Sequence, residues 1–392
     1  MSGLPPYDSF LLVSFGGPEG PDDVMPFLEN VLRGKNVPRE RMVEVSEHYN
    51  HFGGVSPINQ QNRELLAEIQ RHFKEIGVDL PVYWGNRNWD PYFVDTLREM
   101  QAAGHKRALA FFTSMFSCYS GCRQYRENII EAQQQILDET GREAPLVEKV
   151  RMGFNHPSFI STMSDRVSAA AASIEMAPDQ VMLLFTAHSI PMGMADNCDY
   201  EMQLRESARL VAQQSGAPQW RLVFQSRSGP PQQPWLEPDV LDAITEMDEN
   251  DQLGSKGLIV LPIGFVSDHM EVMFDLDEEA AELCEERGIK MARAATAGTH
   301  PEFVHMIGDL VLERLEGRRE RPALGDLGAW HDVCPKDCCQ YTPRRPPGVG
   351  AKPSSAERPA TAGRPVTAGP PATAGPPATA GPPAAAGRPV GS

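Results

Sequence analysis

The sequence predicts an α/β protein of two doubly wound lobes, each built on a parallel sheet. Two observations carry this expectation. Short apolar runs bounded by Gly or Pro recur along the chain, each followed by a segment of helical periodicity. The runs are continuously apolar rather than alternating, as strands covered by helices on both faces are. With 392 residues, 41% of them hydrophobic, the chain can build more than one lobe.

The elements follow in order. DSFLLVSF (8–15) reads as a first strand ending at Gly16-Gly17-Pro18. PVYWG (81–85) and RALAFFT (107–113) continue the first lobe, set at 1–160. VMLLF (181–185), WRLVFQS (220–226) and GLIVLPI (257–263) repeat the scheme in a second lobe, set at 161–300. A last helix at 301–320 and a cysteine-rich segment at 321–341 precede a tail at 342–392. The tail is Pro, Ala, Gly and Thr, with TAG recurring at 361, 367, 373 and 379. Such a composition buries too little apolar surface to order itself, so the tail is expected to be disordered and partly polyproline-like.

A net charge of −17 argues against a nucleic-acid partner, which needs a basic face. The N-terminus lacks a basic region before its short apolar run, and no stretch approaches 18 apolar residues. Neither a signal peptide nor a transmembrane segment is therefore expected. Seven cysteines in such a chain suggest a reduced, cytoplasmic setting, with some thiols as metal ligands or plain core. There is no GxGxxG or GxxxxGK[ST] loop, so the fold carries no nucleotide signature.

Open parallel sheets place ligands outside the carboxyl ends of their strands. His188, at the tip of VMLLFTAH, is expected there. A second group follows GLIVLPI, where a helix is expected to open after Ser267, a capping position, with Asp268 or His269 orienting its start. Glu271, Asp275 and Glu279 are spaced i, i+4, i+8, stacking on one helical face. A solvated acidic face has the same spacing, but Val266, Met270, Val272, Met273 and Phe274 make this stretch apolar. Close carboxylates raise one another's pKa and offer a path for a cation. His188 and Glu271 are expected to face each other across one cleft.

Five motifs, LLVSFGGPE (11–19), HFGGVSPINQQ (51–61), FTAHSIP (185–191), FQSRSGPPQQPWLEP (224–238) and LPIGFVSDHMEVMFDLD (261–277), together resemble the ferrochelatase family from about residue 8 to 320. FFTSMFSCYSGCRQYREN (111–128) and GNRNWDPY (85–92) resemble its actinobacterial branch. The resemblance implies two Rossmann-like, chelatase-like lobes around a porphyrin cleft, with helix 301–320 returning to the first lobe. It implies insertion of Fe²⁺ into coproporphyrin III with release of two protons, and a downstream decarboxylase in haem biosynthesis. His188 and Glu271 match the family's catalytic pair, and Asp275 and Glu279 extend the metal path. Which of the pair takes protons stays open. Ser56 and Phe15 match porphyrin-cleft positions, Tyr125 sits in the cleft-facing helix after Cys122, and Arg87 reads either as a propionate partner or as a surface residue. Phe15 stands where some relatives carry a Tyr that ligates product iron, and a phenyl ring offers no such donor. The alternatives are a protoporphyrin IX ferrochelatase, a cobalt chelatase or, in another class, a non-catalytic two-lobed metal- or tetrapyrrole-binding protein.

Cys334, Cys338 and Cys339 fall within six residues. Their spacing alone reads as structural zinc. The resemblance instead implies a [2Fe–2S] cluster held by these three and one distant thiol, Cys122, with Cys118 as the alternative. Cys198 and Cys284 are expected as small core residues.

Overall fold

The computed structural model describes residues 6–34, 37–253 and 256–341. The tail expected at 342–392 lies outside the described residues. Eight strands form two four-stranded sheets, and every pairing is parallel. The first contains β1 (Ser9–Ser14), β2 (Val82–Asn86), β3 (Arg107–Phe112) and β4 (Leu146–Lys149), ordered β2-β1-β3-β4. The second contains β5 (Val181–His188), β6 (Gln219–Gln225), β7 (Gly257–Leu261) and β8 (Met291–Arg293), ordered β6-β5-β7-β8. The two lobes thus repeat one strand order.

The six strands expected from apolar runs are all present. β4 and β8 are additions, each at the edge of its sheet. LVEK and MAR are too short and too polar to stand out from sequence, because an edge strand needs only one buried flank. The helix Pro157–Ser173 packs on β7 and β8 of the second sheet. The helix Pro301–Glu316 packs against both Ile58–Glu75 and Pro157–Ser173. It thus lies between helices of both lobes.

The seam between the lobes is dry. Phe303 meets Phe111 of β3 at 5.9 Å and Phe159 of the second lobe at 6.3 Å, so one aromatic chain runs through both lobes. Beside it lies a fully buried ion pair. Arg151, just past β4, donates to both carboxylate oxygens of Glu313 at 2.7 and 2.8 Å, and the side chains are 0% and 1% exposed. Arg151 also donates to the Pro322 carbonyl at 2.8 Å. Residues 318–341 form neither helix nor strand, and Asn155 holds them through the Leu324 and Gly328 carbonyls. Among the described residues, no helix is long and apolar enough to cross a membrane.

We predict that Glu313→Leu costs about 3–5 kcal/mol, because it strands the buried guanidinium. Arg151→Met with Glu313→Leu should recover much of that loss. Urea midpoints of the three variants test this; a double variant no better than the single one would show that the pair's charge is not what matters.

Candidate active site

His188 is the last residue of β5, paired in register with Gln225, the last residue of β6. Its Nδ1 lies 2.5 Å from the Ser189 carbonyl oxygen, which assigns the ring proton to Nδ1. Nε2 faces the Glu271 carboxylate, 3.5 Å away. The Tyr200 hydroxyl donates to the His188 carbonyl at 3.1 Å, and Ser189 Oγ donates to the Leu236 carbonyl at 2.8 Å. The imidazole is thus fixed on its strand side and open toward Glu271. Side-chain exposures of 34% and 49% leave both groups reachable from the cleft.

The acidic segment departs from a plain helix. Its cap is His269, whose Nδ1 accepts from the Val272 amide at 3.4 Å, not Ser267 as expected. A single turn, Met270–Val272, runs into a π-helix, Met273–Glu279, and then the α-helix Ala280–Glu286. Such π segments recur at functional sites. Gln225 Nε2 donates to the Glu271 backbone carbonyl at 3.3 Å and to Asp275 Oδ2 at 3.1 Å. The Ser226 hydroxyl also donates to Asp275 Oδ2, from a residue in the left-handed region at φ 58°. Burial pushes the Asp275 carboxyl up to about 7; the Ser226 bond opposes the shift and the Glu271 charge adds to it. Glu279 is also raised, chiefly by burial. Asp268 is taken up by Arg293, and its amide is held by Gln61 of the first lobe at 2.8 Å.

The first lobe supplies the facing side. His48 stacks on Phe274 with centroids 4.0 Å apart, and His51 Nε2 lies 3.2 Å from Glu278. Tyr49 is raised by burial and by the Glu271 charge. Phe15, Tyr49 and Trp89 all pack around Phe27, at 6.3, 5.9 and 6.1 Å, an aromatic group next to the site. Ser56 is buried; a Cβ on Gly17 would come within 2.7 Å of the Ser56 Cβ, so only glycine fits there. Arg87 donates to Asn128 at 2.8 Å and lies over the Tyr125 ring. Among the described residues no carboxylate pairs with it, and burial lowers its pKa. At 7% exposure, Tyr125 packs between Phe93 and Phe112 in the first lobe's core, and its ring carries Arg87.

The cysteines gather where the C-terminal segment meets the first lobe. Cys122 and Cys334 are hydrogen-bond partners, and Cys334 is the member pushed down, chiefly by that bond. Cys338 and Cys339 have their sulfurs 3.3 Å apart. His331, Cys334 and Cys338 bring their donor atoms within 4.8 Å of one another, an arrangement able to hold a metal. Cys118 instead caps the π-turn Tyr119–Arg123, accepting from the Gly121 amide at 3.1 Å. Sequence reasoning assigned no role to Gln225, Ser226, Tyr49 or His331. Gln225 and Ser226 stood inside the FQSRSGPP motif, the one available signal.

A histidine and a carboxylate at the carboxyl edge of one lobe, facing aromatic side chains from the other, define a chelatase-type site. The fold agrees: SirB from Bacillus subtilis, solved with Fe³⁺, matches at a TM-score of 0.51 and 12% identity, over 80% of this chain and 98% of that one. The ferrochelatase family model matches residues 7–315. A ferrochelatase from Rhodopirellula baltica is 73% identical, covering 91% of this chain and 100% of that protein. A coproporphyrin III ferrochelatase from Streptomyces coelicolor is 49% identical, covering 88% and 96%. The chain belongs to the ferrochelatase family, enzymes of haem biosynthesis that insert iron into a porphyrin.

The raised Asp275 carboxyl has a measurable consequence. Its folded-state pKa of about 7 exceeds the ordinary 3.8, so folding favours the protonated form. The group's contribution to stability is complete below the ordinary value and is lost as pH rises toward 7. We predict that the melting-temperature advantage of Asp275→Asn over wild type grows between about pH 4 and 7 and then levels. A difference that stays flat across that window would reject the burial argument.

Proposed function

We propose that this enzyme inserts Fe²⁺ into coproporphyrin III and that His188 takes the pyrrole protons. The contact between His188 Nε2 and Glu271 at 3.5 Å carries the reading. With Nδ1 held by the Ser189 carbonyl, Nε2 is the ring nitrogen presented to the cleft for proton transfer. Glu271 offsets the imidazolium that forms and draws the proton onward. Asp275, close to half-protonated near neutral pH, stores or releases a proton one step further in. Its Oδ2 is already engaged by Gln225 and Ser226, which suits proton storage better than metal ligation. Glu271 and Glu279 are the more accessible partners for incoming Fe²⁺.

Two facts support coproporphyrin III. Relatives 48–49% identical over 88% of this chain carry that substrate in their names. Arg87 is a half-buried guanidinium lacking a carboxylate partner, and coproporphyrin III brings twice as many propionates as protoporphyrin IX. The [2Fe–2S] cluster is carried by the sequence expectation: Cys122 would join Cys334, Cys338 and Cys339 as ligands, while the donors that gather within 4.8 Å are His331, Cys334 and Cys338, a set that also suits zinc. Bound there, the cluster would supply one-electron chemistry and a clip between the C-terminal segment and the first lobe.

Under anaerobic assay, His188→Ala should abolish insertion while porphyrin binding stays near wild type, and Glu271→Gln should cut the rate by about two or more orders of magnitude. Turnover should be faster on coproporphyrin III than on protoporphyrin IX; the reverse preference overturns the substrate assignment. Cys122→Ser should remove colour and acid-labile sulfide, whereas Cys118→Ser should keep both. A colourless Cys118 variant would transfer the ligand role to Cys118.

A further inference from the structure

The helix Pro301–Glu316 ends in a group of arginines that the insertion chemistry does not use. A cavity of about 530 Å³ opens there, within the size range of small-molecule sites. Its wall includes Arg314 of the helix, Arg318, Arg319 and Arg321 just past it, and the acids Glu313 and Asp332. In a chain of net charge −17, four guanidiniums on one cavity are a local concentration of positive charge.

The acids nearby do not cancel that charge. Glu313 is committed to Arg151, which binds both of its oxygens. Glu148 is divided between Arg107 and Arg314, at 2.5 and 3.4 Å. Arg318 pairs with Glu316 at 2.6 Å, an exposed contact of the kind that contributes little in water. Arg319 is exposed and has no ion-pair or hydrogen-bond partner among the described residues. Asp332 gives Oδ2 to Arg321 at 2.6 Å, while its Oδ1 is enclosed and has no donor. The helix C-terminus opposes an anion, but the Gly317 and Arg318 amides both bond the Glu313 carbonyl, and Arg314 sits in the last turn.

We propose that this cavity binds a small oxyanion that also carries a hydrogen-bond donor, a phosphate group being the class it fits. Guanidinium forks match the oxygens of phosphate. Asp332 Oδ1 adds a different requirement, because a carboxylate oxygen only accepts. Monohydrogen phosphate keeps one P–O–H near neutral pH and donates there; sulfate has none and sets oxygen against oxygen. The volume also admits a phosphate at the end of a small hydroxylated molecule. Arg318, Arg319, Arg321 and Asp332 belong to the segment without helix or strand, whereas Arg314 belongs to the helix. An anion held by both pins the segment to the helix and stabilises the fold by mass action. The site is independent of which porphyrin the cleft takes and of what the cysteines bind.

The test uses the full chain, with inorganic phosphate, glycerol 3-phosphate and sulfate as probes and chloride holding the ionic strength constant. Phosphate should bind saturably by calorimetry and raise the melting temperature in step. Sulfate should bind at least about tenfold more weakly, since it leaves a charged acceptor unserved. Arg319→Gln, at an exposed position, should weaken phosphate binding about tenfold while the free protein melts as wild type does. Asp332→Asn should narrow the gap between phosphate and sulfate, because an amide donates where a carboxylate cannot. Tighter binding of glycerol 3-phosphate than of phosphate identifies a phosphorylated molecule as the ligand, and the reverse identifies the free ion; either upholds the site. Phosphate binding that is no stronger than that of chloride or sulfate, or that is unchanged in Arg319→Gln, overturns the proposal. If Asp332→Asn fails to fold, the wild-type preference for phosphate over sulfate and the Arg319→Gln affinity decide.

Discussion

The site depends first on the register of β5 between β6 and β7. His188 pairs with Gln225 on the last rung, and the Ser189 amide then bonds the Gln225 carbonyl at 2.8 Å. On the other side the Gly264 amide bonds the Thr186 carbonyl, and a Cβ on Gly264 would come within 2.6 Å of the Ala187 Cβ. Close packing at that point turns the chain after β7 back across the end of β5. The imidazole, the Gln225 amide and the segment that begins the acid ladder therefore reach one edge together. A one-residue slip of β5 would send His188 to the other face of the sheet. Because every strand is parallel, the same edge in the first lobe carries the Gly16-Gly17 turn and the 87–90 loop, so one rule of sheet construction supplies both walls.

Within this frame the acids do unequal work. The π-helix lets Asp275 turn inward, where Gln225 and Ser226 bind its carboxylate, while Glu271 remains half exposed beside His188. Burying a carboxylate is expensive, and two donors to one oxygen offset part of that cost. The remainder appears as the upward shift of its pKa. Ser226 adopts a left-handed backbone to reach it, a conformation that a serine accepts only when its surroundings impose it. Strain, burial and an irregular helix thus meet at one carboxyl group, and together they keep a proton available near neutrality.

The interior strands were legible because burial on both faces leaves an unbroken apolar run. β4 and β8 were not, since a short edge strand is defined by the partner it meets rather than by its own pattern. His188 and Glu271 were legible as residues at strand ends, and their pairing required only that both ends share an edge. His269 was named with Asp268 as orienting the helix start, although the cap was placed at Ser267; the π-helix was invisible, because α-helical spacing of acids says nothing about an extra residue in the turn. Tyr125 shows a related limit: a helix that borders the cleft also has a core face, and periodicity alone does not say which face one aromatic occupies. Lys149 shows the limit most plainly. LVEK reads as an ordinary polar edge, and only the tertiary packing reveals that its two charges part to opposite sides, one paired and one not.

The C-terminal segment ties these parts together. Residues 318–341 have no helix or strand, so their order must be offset by specific contacts, at about 1–2 kcal/mol per residue fixed. Backbone carbonyls do much of this: Asn155 holds Leu324 and Gly328, Arg151 holds Pro322, and Arg123 holds Lys336 and Cys338. Arg123 is the residue after Cys122, so the π-turn that presents the thiol also grips the segment bearing its partners. That turn runs directly into Gln124–Thr140, the helix whose Tyr125 and Asn128 support the Arg87 guanidinium. The thiol-bearing turn is therefore continuous with the helix that supports Arg87. The cysteine-rich segment and the Arg87 side of the site thus both lean on the Tyr119–Arg123 turn and the helix Gln124–Thr140.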